Sequence, residues 1–198
     1  MKRCIDFMRF KLSLQAPVER ELQHTREVTF RGYKRKDGLW DIEADIRDTK
    51  TQVFVIQNER TWQAGEPIHD MTIRLTLDDE MVVKDIDVFM KGVPHHECPK
   101  AQAPMHLMIG SSIGSGWRKA IDKNLGGIKG CTHLRELLYS MATAAFQTIP
   151  ASFSMPTDGR PPMHLGKCLA WDFNGEAVKV HHPEFVGWTE ASKPNKVG

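Results

Sequence analysis

Two stretches of strict alternation constrain this chain more than anything else in it. Trp40, Ile42, Ala44 and Ile46 fall on one parity, with Asp41, Glu43 and Asp45 between them. Further on, His69, Met71, Ile73, Leu75 and Leu77 share one parity, while Asp70, Thr72, Arg74 and Thr76 share the other. A period of two places every apolar residue on one face of a β-strand and every polar one on the other, a pattern no helix can satisfy. Strands are expected at 27–34, 39–48, 51–57, 69–77 and 81–90. Lys36-Asp37-Gly38 supplies a tight turn between the first two, because Asp-Gly accepts the positive φ such a turn needs. Short connections between consecutive strands imply an antiparallel meander with one apolar face.

That face needs a partner, and the chain supplies one later. From 132 to 148, Leu134, Leu137, Leu138, Met141, Ala142 and Ala145 recur at spacings of three and four, the stripe of an amphipathic helix. Thr132 is the expected N-cap and Pro150 the expected stop. A shorter helix at 115–125 carries Trp117, Ala120 and Ile121 and ends at Gly126-Gly127. Asn174-Gly175 marks a hairpin near the end of the chain. Strands first and helices later read as α+β. The expectation is a curved antiparallel sheet of about five strands packed against two C-terminal helices, with a tail hairpin. Residues 1–24 read as an N-terminal extension, 25–183 as one domain and 184–198 as a loose C-terminal tail.

With 198 residues the chain is long enough to bury a core without covalent staples. The net charge of +2 excludes a nucleic-acid partner argued from electrostatics. There is no apolar run long enough for a membrane span and no apolar core of a signal peptide. Cys4, Cys98, Cys131 and Cys168 are scattered with no C-x-x-C, which suits reduced thiols. A cytoplasmic protein is expected. No Rossmann, Walker, nucleophile-elbow or zincin motif occurs.

Four polar groupings remain. His69 sits at the start of an apolar strand face, where an imidazole can act as acid or base. Gly130-Cys131-Thr132-His133 opens the strongest helix, whose free N–H groups favour a thiolate at Cys131 or a bound anion. His95-His96-Glu97-Cys98 has the residue types of a metal site but not the paired spacing, so no metal is expected. The polar sheet face bears Asp41, Glu43 and Asp45, for which Arg31 and Arg74 are the cationic candidates.

Several blocks together resemble a bacterial family known only as domain of unknown function 2889. They are Arg35-Lys36-Asp37-Gly38-Leu39-Trp40-Asp41-Ile42-Glu43, Pro67-Ile68-His69-Asp70-Met71 with Arg74-Leu75-Thr76, Cys98-Pro99, and Gly126 through Leu134 with Glu136-Leu137-Leu138. Cys168-Leu169-Ala170-Trp171 and His182-Pro183 resemble its closing segment. The resemblance runs from about 31 to 183 and implies an association with bacterial catabolism of aromatic compounds.

The expected function is a lyase that needs no cofactor. It would act on an aromatic, phenolic compound of lignin type by acid–base chemistry, with loss of a one-carbon fragment such as formaldehyde or CO2. His69 is the expected base, with His133 its partner or proton donor and Cys131 beside them. Tyr33, Arg35, Trp40, Asp70, Arg74 and Thr132 are the expected substrate contacts. The expected partner is a small aromatic molecule, and a homo-oligomer is compatible with the sequence. A different class, a non-catalytic binding or accessory module for aromatic metabolites or acyl compounds, fits the same residues. A small metalloprotein using the cysteines is a third reading.

Overall fold

A computed structural model describes residues 14–149, 155–156 and 158–189. Four long antiparallel strands make the sheet: β1 (His24–Lys34), β2 (Trp40–Lys50), β5 (Pro67–Leu77) and β6 (Val83–Gly92), in the order β1-β2-β5-β6. The sheet is open, with β1 and β6 at its edges. Between β2 and β5 the chain makes a separate hairpin, β3 (Phe54–Ile56) with β4 (Arg60–Trp62). The expected five-strand meander is therefore corrected to four strands plus this insertion. The stretch 51–57 has β-forming residues on both parities, Val53 and Val55 as well as Phe54 and Ile56, so alternation gave it no face to bury.

The connections follow local chemistry. Gly38 takes φ +90° in the β1–β2 turn, and the Asp37 carboxylate accepts the Leu39 N–H. Between β5 and β6, Asp78 Oδ1 accepts from the N–H groups of Glu80 and Val82 and holds Met81 at φ +59°.

Helix α1 (Trp117–Leu125) and helix α2 (Thr132–Thr148) follow an irregular 3₁₀ run, Cys98–Met108. Leu134, Leu137, Leu138, Met141 and Ala145 of α2 meet Ile42, Ala44, Ile46, Met71, Ile73 and Leu75 of the sheet in one core. Each leucine, isoleucine or methionine among them contributes about 1.5–3 kcal/mol by leaving water, which makes this interface the main stabilising layer. Trp117 joins α1 to α2, its buried indole N–H donating to the Leu138 carbonyl at 2.8 Å. Cys131 occupies the N-cap position with extended backbone, so Thr132 is the first helical residue and not the cap. Pro150 and Cys4 lie outside the described residues; Cys98, Cys131 and Cys168 are free thiols.

The tail differs from expectation twice. Around Asn174-Gly175 there is no hairpin but a 3₁₀ turn, Leu169–Trp171, and a short helix α3 (Glu176–His181) with Gly175 at its cap. Asp172 Oδ1 accepts the Asn174 N–H, which turns the chain into α3 and not back into a strand. Residues 184–189, expected to be loose, carry Phe185 at 6% exposed in a second small cluster with Leu165 and Val178, against which Trp171, Phe173 and Trp188 pack. Residues 190–198 lie outside the described residues. Among those described, no helix is long and apolar enough to cross a membrane.

Candidate active site

The buried parity of β2 runs Trp40, Ile42, Ala44, Ile46, and its next member is Asp48, only 2% exposed. Register sets Asp48 opposite Arg26 on β1 and His69 on β5, all on the face that α2 covers. A register shift follows directly after Asp48, a common device for aiming side chains at a site.

A buried carboxylate is costly unless its lone pairs are used. Asp48 Oδ1 accepts from His24 Nε2 and from Arg26 Nε, each at 2.8 Å. Oδ2 accepts from Arg26 Nη2 and from His69 Nδ1, each at 2.9 Å. Arg26 also reaches Glu136 on α2 at 2.7 Å, fastening the strand to the helix. Burial pushes the Asp48 carboxyl up, but the Arg26 guanidinium, with His24 and His69, holds it below the usual carboxylate range.

An ionised carboxylate only accepts, so His69 Nδ1 must carry the proton it donates, leaving Nε2 as the lone-pair nitrogen. Burial, reinforced by repulsion from His133, lowers the His69 pKa against the pull of Asp48 and keeps the ring neutral. His133, from the first turn of α2, lies over it with ring centroids 3.8 Å apart and a 37° tilt. Its Nε2 is 4.0 Å from Asp48 Oδ2, and its Nδ1 is 3.7 Å from Cys131 Sγ. Burial alone would raise the Cys131 thiol, yet it lies below its ordinary value because His133 and the N–H groups of Leu134 and His133 favour the thiolate. A neutral imidazole oriented by a carboxylate, a second imidazole against it and a thiol at an uncompensated helix start form one acid–base centre.

The structure thus brings together His69, His133 and Cys131, with Thr132 exposed at the helix start beside them. The other expected contacts are elsewhere. Lys34 pairs with Trp40 at the far end of β2, eight residues from Asp48, about 27 Å along the strand. Tyr33 and Arg35 belong to that end, where Arg35 binds Asp37 and Asp41. Trp40 is a core residue whose indole donates to Asp79. Asp70 and Arg74 point to the opposite sheet face, Arg74 against Glu43 at 2.8 Å and Asp70 near Lys91 at 3.8 Å. With Arg31 on Asp45, that face is a ladder of cross-strand ion pairs, not a cleft. His95 and His96 both lie against Glu59.

His24, Arg26 and Asp48 are absent from the residues singled out in the sequence, and Glu136 figures there only within a block of the family resemblance. Asp48 was the findable one, since it continues the apolar parity of β2 as a carboxylate. Arg26 continues the parity of Val28 and Phe30, but only once β1 is extended to His24.

Asp48, His69 and His133 offer ligand atoms within 4.8 Å of one another, residue types that suit a zinc-class cation. The donor set nevertheless fits a metal poorly. All four lone-pair positions of Asp48 are taken, two of them by a guanidinium that would repel a dication.

The model of a family described as protein of unknown function (DUF2889) matches residues 24–147. The chain belongs to the DUF2889 family. Its matched region begins at His24, the first residue of β1, and covers the whole four-stranded sheet, α1, all of α2 but its last residue, and every residue of the acid–base centre. No curated protein and no solved structure matches the chain.

Proposed function

We propose that this DUF2889 chain is a carbon–carbon lyase that removes a one-carbon fragment from a phenolic compound by acid–base chemistry. The observation that carries the reading is the contact between Asp48 and His69. It fixes the tautomer and leaves His69 Nε2 as a neutral base of lowered pKa beside a second titratable imidazole. The aromatic substrate class rests on the family resemblance and not on the geometry.

For a substrate bearing a hydroxymethyl group next to a carbon conjugated with a carbonyl or quinone-methide oxygen, the steps balance. His69 Nε2 takes the hydroxyl proton. The O–H electron pair becomes the second C–O bond of formaldehyde, and the C–C pair passes to the retained carbon and on to the conjugated oxygen. That oxyanion lies at the start of α2, where free N–H groups and the helix dipole stabilise it. The proton taken up by His69 then returns to the product by way of His133, which leaves both imidazoles as they began. No electrons leave the system, so the reaction requires no oxidant or reductant.

Formaldehyde trapping during incubation with phenolic hydroxymethyl compounds tests this. Release is expected from the free hydroxymethyl compound and not from its O-methyl ether, and His69→Gln should lower it by at least about 100-fold. Full activity in His69→Gln would remove the assignment. Saturable binding of the same phenols without release from any of them would make the chain a binding module.

A further inference from the structure

We propose that the free edge of β1 pairs with β1 of a second copy, so that the protein is a two-fold dimer with one continuous eight-stranded sheet. β1 is eleven residues long and hydrogen-bonds to β2 alone. Its register with β2 is unbroken from His24 to Lys34, so no bulge twists it away, and it contains no proline. Its outward N–H and C=O groups have no partner among the described residues. Such an edge is a template for another strand, and proteins that stay monomeric shorten, bulge, cover or charge it.

The charges in the middle of β1 do not repel a second β1; only at its two ends does Lys34 fall opposite His24. In the antiparallel register centred on Thr29, Glu27 faces Arg31 of the second copy, and the pair occurs twice by symmetry. Glu27 makes no ion pair among the described residues, although Arg47 lies opposite it on β2, and Arg31 is half exposed beside Asp45. On the other face Val28, 39% exposed, meets Phe30 of the second copy. Gly32, which has no side chain, falls opposite Arg26 and leaves its hold on Asp48 undisturbed. The other edge, β6, is worse suited. Its first residue is already bonded through Ser111 and Gly110, its pairing with β5 is irregular at both ends, and self-pairing about Asp87 sets like charges together. A β1–β6 contact between copies would be heterologous and would build a ring or a filament, not a two-fold dimer.

Sedimentation equilibrium of the full chain tests this, with circular dichroism confirming that each variant folds. The wild type should have about twice the 22.5 kDa chain mass. Glu27→Arg and Arg31→Glu should each weaken dimerisation at least about tenfold by opposing like charges, and the double exchange should restore it. A wild-type monomer at millimolar concentration would overturn the proposal. So would a dimer unaffected by either single change, or single changes that the double exchange fails to rescue.

Discussion

Exchanging one oxygen of Asp48 for an amide puts a donor where an acceptor stood; Arg26, which only donates, cannot answer it, and His24 or His69 can do so only by changing tautomer. Asp48→Asn should therefore cost about 1–3 kcal/mol in urea melts and should lower turnover further by releasing the His69 tautomer. His69→Gln should lower turnover while leaving the melting temperature at pH 7 within a few degrees, since the ring is held neutral there. The two groups also set the acid response. The folded pKa of His69 lies below the free imidazole value of about 6.5, so on acidification the unfolded chain takes up that proton first. Its contribution is complete above pH ~6.5 and is lost as the pH falls through the lower folded value. Asp48, also depressed, adds a second loss beginning below about pH 3.9. Thermal melts from pH 8 to 3 should show both, and His69→Gln should flatten the upper one. The acid limb of kcat/KM should titrate below the free imidazole value for the same reason.

Among the elements, β2, β5 and α2 were legible because each buries one face completely, so period and burial coincide. The helix expected at 132–148 has the bounds observed. Of the β3–β4 hairpin only β3 was legible, inside the strand expected at 51–57; β4 and the short helix α3 were not, because three to six residues are too few for a period to show and turn chemistry decides them instead. The site was half legible for a related reason. His69 stands out as a polar residue on an apolar strand face and His133 by its place in the first turn of the strongest helix, whereas His24 and Arg26 acquire meaning only from the β1–β2 register. The docking of β1 under α2 can be tested at Gly32. A Cβ there would lie 2.0 Å from Thr148 Oγ1 and 2.7 Å from its Cβ, so rotating the threonine does not clear the clash. Gly32→Ala should destabilise by about 1–3 kcal/mol in chemical denaturation. Adding Thr148→Ala should recover most of that loss, whereas failure to do so would place the cost in the strand.

For the whole molecule, two unequal clusters divide the work: the large one between sheet and α2, and the small one around Leu165, Val178 and Phe185. Phe185→Ala should raise hydrogen exchange across 164–188 and leave amides of β2 and β5 protected, because separate clusters can open separately. Purified protein is expected to carry only substoichiometric zinc after dialysis. A full equivalent, lost in His133→Ala, would show that Arg26 releases Asp48 to a metal. The hairpin β3–β4 has a consequence of another kind. It leaves the sheet after Lys50, where β2 ends, and returns at Pro67, where β5 begins, next to the strand ends that hold Asp48 and His69. Descendants of this chain can lengthen, shorten or recolour that excursion while Asp48 and His69 keep the pairing that β2 and β5 set. Under the proposed lyase chemistry, the residues of that excursion can change faster than the base that β2 and β5 hold.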